Sequence, residues 1–336
     1  MTGEPIESGK TGDVIIDTAR ELLKEGLVAR TWGNLSRRTG ADRYLITPSG
    51  RDYETMTPDD LVEVDFEGKW SGDLKPSGER GLHTEIYREL PDVQYIIHTH
   101  HPYASAMSVG GADGEIPGDL AERIGSRTLP IAAYGLPSTG KLHKAVLATL
   151  RETGARAILM QGHGAVLFGN DAAELVDLAK ALEEVCRVQF EKVSGWSVTS
   201  SKGSKVRRFV RDGLRLAPQV VHIFMRRDDA GAVVATDDPL FLKFRETGLR
   251  AYLDDFSQLV GLRVAKDFGH AMIYGNKATY FLGADLDEAE AVFSVAHKNA
   301  LAALVANATG AKPIGAVDGT IMRQVYKLKY SKLKDK

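Results

Sequence analysis

The 336-residue sequence holds one cysteine, Cys186, so no intrachain disulfide can form and a disulfide-stapled secreted fold is excluded. It has no run of about 18 apolar residues, so no membrane-spanning helix is expected. Residues 1–12 are polar and Gly-rich and are expected to form a flexible N-terminus. They have no apolar core segment and do not read as a signal peptide. An excess of charge is missing too. Lys+Arg number 43 against Asp+Glu 45, a net charge of −2. That balance gives no global reason to expect nucleic acid or a membrane surface as partner. Neither a P-loop nor a GxGxxG fingerprint occurs, so nucleotide binding is not indicated. These absences leave a cytoplasmic protein in a reducing compartment. Its composition is globular, 43% hydrophobic and 26% charged, and its length suggests about two domains.

What is present reads as alternating short elements. Val14, Ile15, Ala19, Leu22, Leu23 and Leu27 are spaced as one face of a helix over 13–29, which Gly26 would stop. Gly33-Asn34-Leu35-Ser36 reads as a turn. Strands are expected at 44–47, 61–65 and 95–100, with Glu67-Gly68 closing a hairpin and a short helix at 83–90. Helices follow at 141–152 and 172–192, with short buried strands at 157–160 and 165–168. The mixture implies a layered α/β or α+β domain. Residues 194–205 are rich in Ser, Gly and Lys and read as a linker. Beyond them a second unit is expected, with strands at 220–225 and 278–282 and a helix over 286–307. The tail 323–336, with six Lys/Arg and one acid, reads as solvated and frayed.

Chemistry gathers on three histidines. In His98-Thr99-His100 the two imidazoles stand at i and i+2 of a strand, so they share a face and can grip one cation. His101 points to the other face and is not counted with them. His163 lies in Gln161-Gly162-His163-Gly164, between two apolar strands, where flanking glycines allow close backbone approach. Three histidines and an open position describe a catalytic rather than a closed structural metal site. Glu79, in Lys75-Pro76-Ser77-Gly78-Glu79, is the candidate carboxylate. Taken alone it reads as a solvated surface charge. His270 and His297 are isolated and read as surface or core residues. Cys186 reads as a buried, inert thiol.

Three clusters of small residues precede the histidines: Gly33-Asn34-Leu35-Ser36, Thr47-Pro48-Ser49-Gly50 and Pro76-Ser77-Gly78. Each carries backbone N–H groups and a hydroxyl or amide without bulky cover. Their convergence would make an anion nest for a small phosphorylated or carboxylated substrate.

In this order and spacing the motifs resemble the class II aldolase/adducin family over residues 13–195. The stretches that carry the resemblance are Gly33-Asn34-Leu35-Ser36, Thr47-Pro48-Ser49-Gly50, Asp60-Leu61-Val62, Lys75-Pro76-Ser77-Gly78-Glu79 with His83, Ile97-His98-Thr99-His100, and His163-Gly164. The resemblance implies an α/β fold, with a three-layer α/β/α catalytic domain over 13–200 around a mainly antiparallel central sheet. A smaller C-terminal α+β extension, 201–336, is left without a counterpart. It implies a divalent metal on His98, His100 and His163, most commonly Zn2+, with Mn2+ and Co2+ also suited to imidazole. Glu79 matches the family's catalytic acid/base, and Tyr134 matches a proton-donating tyrosine supplied by a neighbouring subunit. Gly33, Asn34, Ser49, Gly50, Ser77 and Gly78 match the phosphate-binding positions. Gly78 stands where a second serine is usual, so one hydroxyl contact is lost there. The activity implied is aldol cleavage or formation in a small sugar phosphate or hydroxy-carbonyl compound, through a metal-stabilised enediolate, in a homo-oligomer, a tetramer by resemblance. Family decarboxylases, dehydratases and 4-epimerases stay open as alternatives, as does a non-catalytic adducin-like module. Glu79, where the epimerases usually carry Asp, favours the aldolase.

Overall fold

The structure, a computed structural model, describes residues 8–28, 31–110, 114–213, 216–264 and 271–330. The chain forms two compact units, the first ending at Gln189 and the second beginning at Phe190. Among the described residues no helix is long and apolar enough to cross a membrane.

Unit 1 opens with α1 (Ser8–Lys24). The helix starts five residues ahead of the expected position. Of the expected flexible N-terminus, residues 1–7 lie outside the described residues. Ile15, Ile16, Ala19 and Leu22 are its buried positions, so the apolar stripe read from the sequence faces the core. The chain continues through β1 (Asn34–Arg38), β2 (Arg43–Ile46), β3 (Val62–Asp65), α2 (Arg80–Glu89), β4 (Tyr95–Thr99), α3 (Pro102–Met107) and α4 (Gly118–Ile124). It then passes through β5 (Ile131–Ala132), α5 (Gly140–Thr153), β6 (Ala157–Met160), β7 (Gly164–Gly169) and α6 (Ala172–Ser194), the helix in which the two units divide. The seven strands form one sheet in the order β3-β2-β1-β4-β7-β6-β5. Only the β5–β6 pair is parallel. Every residue of β6 and β7 is buried. Successive strand residues point to opposite faces, so both faces of the sheet are covered there. This is the mainly antiparallel, three-layer α/β/α arrangement expected.

One local expectation fails. Asn34, Leu35 and Ser36 do not turn; they begin β1, which pairs with β2 on one side and β4 on the other. A central strand tolerates polar residues when each finds a partner, and both Asn34 and Ser36 do so, as described below.

Unit 2 holds a 3-10 turn (Val198–Ser201), β8 (Val206–Val210), α7 (Pro218–Arg226), β9 (Ala232–Thr236), α8 (Pro239–Leu242), β10 (Leu249–Arg250), α9 (Asp254–Leu259) and β11 (Arg263–Val264). After these come β12 (Met272–Tyr274), β13 (Thr279–Gly283), α10 (Leu286–Thr309), α11 (Ala316–Val325) and a π turn (Tyr326–Tyr330). A four-stranded antiparallel sheet runs β12-β13-β9-β8, and β10 pairs with β11. The expected α+β character holds.

The strand expected at 220–225 is instead part of α7. Pro218 is pre-organised for the first helical turn. Val220, Ile223 and Phe224 are buried against Val233 and Leu282, while Val221 and Met225 are exposed. That is the i, i+3, i+4 pattern of a helix, hidden in a run of apolar residues. The expected linker is also ordered. Val198 N donates to Glu191 Oε1 at 2.7 Å, Ser201 Oγ to Asp238 Oδ1 at 2.6 Å, and Lys205 N to Asp237 Oδ1 at 2.6 Å. Of the expected frayed tail, residues 323–330 are helical, and 331–336 lie outside the described residues.

Candidate metal centre and anion site

The sheet sets the first two histidines. Asn34 is the direct partner of His98 on the β1–β4 ladder, and Val166 is its partner on the β4–β7 ladder. His98 lies within β4, and His100 follows the strand's last residue, Thr99. The third histidine arrives on the β6–β7 turn, closed by His163 N donating to Met160 O at 3.0 Å. Gly164 is what lets that turn approach. A Cβ there would stand 2.2 Å from the Thr99 carbonyl oxygen. The Gly164 position therefore serves close contact with β4, as the sequence suggested. Glu79 comes from a third place, the residue before α2, where its N–H donates to Ser77 Oγ at 3.2 Å.

These four side chains meet. His98 Nε2 lies 3.0 Å from His100 Nε2, 3.0 Å from His163 Nε2 and 3.0 Å from Glu79 Oε2. His163 Nε2 lies 3.4 Å from Glu79 Oε1. All four residues are buried, Glu79 at 8% exposure. The solvated surface charge that Glu79 suggested in isolation is thus corrected. It is withdrawn from water because α2 begins against the histidine-bearing end of the sheet.

The donor set fits a cation. His98 Nδ1 lies 2.9 Å from the Ala165 carbonyl oxygen. The carbonyl can only accept, so Nδ1 carries the proton and Nε2 presents a bare lone pair. Burial pushes the His98 imidazole well below its ordinary pKa, Glu79 opposing only in part, so the ring is neutral. Burial pushes the Glu79 carboxyl up, and only positive charge facing it from the side of His163, His98 and His100 brings it below its ordinary range; with the His98 ring neutral, a bound cation is what would supply that charge. At these distances the four groups need a proton or a cation between them, and the lone pair on His98 Nε2 is open to a cation. Tetrahedral zinc on imidazole nitrogens separates them by about 3.3 Å, close to the separations seen. His98, His100 and His163 form the one group of this kind among the described residues. His101 is fully buried, with Nδ1 3.9 Å from Glu183 Oε2, and is not in the group.

Two of the small-residue clusters are zipped together. Ser49 N donates to Lys75 O at 2.9 Å, and Ser77 N donates to Thr47 O at 3.1 Å. Pro48 and Pro76 form an antiparallel bridge between them. Ser49, Gly50, Ser77 and Gly78 are thereby brought side by side, next to Glu79. The pairing uses the amides of Ser49 and Ser77 internally, so the groups left to face an anion are the hydroxyls and the glycine amides. Gly33, at φ 102°, packs where a Cβ would stand 2.6 Å from the His98 carbonyl oxygen. This glycine seats Asn34 against the metal-bearing strand.

Tyr134 lies on the loop after β5. Its N–H donates to Gln161 Oε1 at 3.1 Å, and its ring lies 5.8 Å from Lys141 Nζ. That loop and the His163 turn are therefore tied through residue 161. Of the remaining candidates, His297 packs beside Phe241 and Phe293, and His270 lies outside the described residues. Cys186 is buried, and burial raises its pKa well above normal, consistent with an inert thiol.

Sequence reasoning missed three polar residues behind the site: Ser36, His83 as a polar partner, and Tyr87. His83 Nδ1 meets Ser36 Oγ at 2.6 Å, and Ser36 Oγ meets the Tyr87 hydroxyl at 2.8 Å. His83 Nε2 meets Asn34 Oδ1 at 2.5 Å. The available signal was spacing: i, i+2 for Asn34 and Ser36 on a strand, and i, i+4 for His83 and Tyr87 on a helix.

Comparison with known proteins identifies the family. Residues 13–190 match the model of the class II aldolase and adducin N-terminal domain. The 5-methylthioribulose-1-phosphate/5-deoxyribulose-1-phosphate aldolase of Rhodospirillum rubrum is 36% identical over 171 residues, covering 51% of this chain and 76% of that protein. The L-ribulose-5-phosphate 4-epimerase of Salmonella paratyphi B is 34% identical over 191 residues, covering 52% of this chain and 81% of that protein. Among solved structures, an L-fuculose 1-phosphate aldolase superposes with a TM-score of 0.52 at 20% identity, covering 67% of this chain and 99% of that one. A similarity at that identity speaks to the fold alone. With the family model covering more than half of its length, this chain belongs to the class II aldolase and adducin family.

Proposed function

We propose that this chain is a cytoplasmic metal-dependent aldolase that cleaves or forms a carbon–carbon bond in a small phosphorylated ketose or related hydroxy-carbonyl compound. The observation that carries the reading is the buried Glu79 carboxyl group, with Oε2 3.0 Å from His98 Nε2 beside a buried three-histidine cluster. His98, His100 and His163 would hold the divalent metal, most commonly zinc. When bound, it supplies Lewis-acid polarisation of the substrate's carbonyl and hydroxyl oxygens.

The chain's own groups do the rest. Glu79, held at the start of α2, removes or returns the carbon-bound proton, and a positioned acid/base of this kind contributes about 10²–10⁴-fold. Tyr134 takes the hydroxyl proton from the oxygen that becomes the aldehyde on cleavage and returns it to the aldehyde oxygen on bond formation, in an assembly where a neighbouring copy brings it to the site. Asn34, the hydroxyls of Ser49 and Ser77, and the backbone at Gly33, Gly50 and Gly78 hold the distal anion and orient the reacting bond.

The 34% identical epimerase favours a second reading, 4-epimerisation of a sugar phosphate. Glu79 at the acid/base position, where epimerases of the family usually carry Asp, favours the aldolase. A panel of phosphorylated ketoses, assayed with metal analysis on the same preparation, separates the two. Aldehyde release supports cleavage; conversion to a stereoisomer without aldehyde supports epimerisation. Glu79→Gln should keep its metal and lose turnover. Undiminished turnover in that variant removes Glu79 from the proton transfer.

A further inference from the structure

Behind the anion site a buried line of polar groups joins Asn34 to His83, Ser36 and Tyr87. Asn34 and Ser36 project from β1 to the same face, and His83 and Tyr87 lie one turn apart on α2. All four are at most 4% exposed. Buried polar groups of this kind must pair, and a continuous run of donors through all four takes one of two directions. In one, Tyr87 O–H donates to Ser36 Oγ, Ser36 O–H donates to His83 Nδ1, and His83 Nε2–H donates to Asn34 Oδ1. In the other every donor is reversed, and the Asn34 amide is turned over.

Burial pushes the His83 pKa down to about 3, so the ring is neutral and has one donor and one acceptor in either direction. Two observations favour the first direction. The reversed chain would have to end on Tyr87 donating to the Gln94 carbonyl at 3.2 Å. That carbonyl also accepts from Arg38 N at 2.8 Å, and the single Tyr87 hydroxyl proton has its shorter contact, 2.8 Å, toward Ser36 Oγ. Finally, Oδ1 is the Asn34 atom against His83, which leaves the amide nitrogen on the branch away from it.

We propose that His83 is a positioning residue which, fixed in its Nε2–H form by Ser36 and Tyr87, holds the Asn34 amide so that its NH2 group faces the anion site. The inference rests on the anion-binding part of the proposed function and adds what gives that site its donor character. His83 touches neither substrate nor metal in this scheme. It acts by holding the Asn34 oxygen away, so that two N–H donors and no acceptor confront a phosphate.

The test uses the full-length, metal-loaded protein with inorganic phosphate as probe. In protein labelled with 15N-histidine, the His83 resonances should show the proton on Nε2 throughout the range from about pH 5 to pH 8. The His83→Phe variant should bind phosphate at least about tenfold more weakly, the weight of one hydrogen bond to a charged group. Its metal content should be unchanged. His83→Gln, whose amide can restore a donor near Nε2, should recover much of the affinity. Asn34→Asp keeps an acceptor for His83 but faces the anion with a carboxylate, and should abolish phosphate binding. A proton on Nδ1 overturns the proposal, as does equal phosphate binding by wild type and either His83→Phe or Asn34→Asp. Wild-type protein that binds no phosphate removes the anion site itself, and the proposal with it. Should His83→Phe fail to fold, the wild-type tautomer and the Asn34→Asp variant decide.

Discussion

In unit 1, Glu79, His98, His100 and His163 are withdrawn from water with their acceptor atoms turned toward one another. In unit 2, Lys298 and Asp255 are withdrawn as far, at 3% and 2% exposure, but the ammonium of one is bonded to the carboxylate of the other. Their neighbour Asn299 is paired through both its oxygen and its nitrogen. Its Oδ1 accepts from Tyr252 N at 2.8 Å and Leu253 N at 3.0 Å, and its Nδ2 donates to Arg250 O at 2.7 Å. Burial alone therefore does not mark a functional site. Opposite charges that cancel are the mark of a structural pair. Like lone pairs brought together at a cost point to an external cation.

The comparison can be broken most directly at the metal. Replacing His163 by Ala should empty the site and reduce turnover on the order of 10³-fold or more. Thermal unfolding should change little once the metal-free proteins are compared, since removing one imidazole relieves crowding among the others. Elemental analysis alongside the activity assay checks this. A variant that keeps stoichiometric metal would show that the cluster is not the ligand set.

The opposite outcome is expected in unit 2. Lys298→Ala leaves the Asp255 carboxylate buried without its counter-charge, which should cost about 3–5 kcal/mol. Replacing both partners, Lys298→Met with Asp255→Leu, should cost much less, because no charge is left behind. Urea unfolding measures both, and metal content should match the wild type in each. Equal destabilisation by the single and the double replacement would mean that the pair is not valued for its charges.

A smaller effect sharpens the role of the His163 turn. Gly164→Ala puts a methyl group 2.2 Å from the Thr99 carbonyl oxygen, and a backbone atom cannot step aside as a flexible side chain can. Overpacking of this sort typically costs about 1–3 kcal/mol. It should be felt as weaker metal affinity, because the displaced strand carries His98 and the turn carries His163. Metal competition against a chelator reads it. Unchanged affinity would separate the glycine from the site.

The contrast between the units also explains what could be read in advance. His98 and His100 were legible because strand geometry alone puts i and i+2 on one face. Glu79 was not legible from its own surroundings. Its burial depends on where α2 starts, a long-range fact that the family's motif order supplied. Asn34 and Ser36 resembled a turn because small polar residues usually solvate themselves. Only the pairing with His83 and Tyr87 makes them acceptable in a central strand. In unit 2 the stretch 220–225 misled because an apolar run satisfies strand and helix patterns alike, and burial on one side decides. Leu167-Phe168-Gly169-Asn170-Asp171 in unit 1 and Phe281-Leu282-Gly283-Ala284-Asp285 in unit 2 are alike for a local reason. In both places a strand ends at glycine, and an aspartate two residues on caps the following helix: Asp171 Oδ1 accepts from Glu174 N and Asp285 Oδ1 from Glu288 N.

Two histidines are withdrawn from water by the fold, the buried His83 in unit 1 and the half-buried His297 in unit 2. Burial lowers both, His297 with partial opposition from Asp238, and His83 to about 3. An unfolded chain titrates such rings near about 6.5. Between those values the unfolded chain takes up a proton that the folded His83 refuses. Stability must then fall as pH drops from 6.5 toward 3, by up to about 1.4 kcal/mol per pH unit for that one group, with no contribution above 6.5. His83→Phe removes the titration, so the stability difference between wild type and variant should narrow by about 1.4 kcal/mol for each unit of acidification in that window. His297→Phe should narrow it in the same direction. Urea unfolding of the wild type and both variants, at neutral pH and about two units below it, measures the effect. If the His83→Phe difference stays constant with pH, His83 is not held neutral by the fold, and the buried line from Tyr87 to Asn34 loses the fixed proton on which its direction depends.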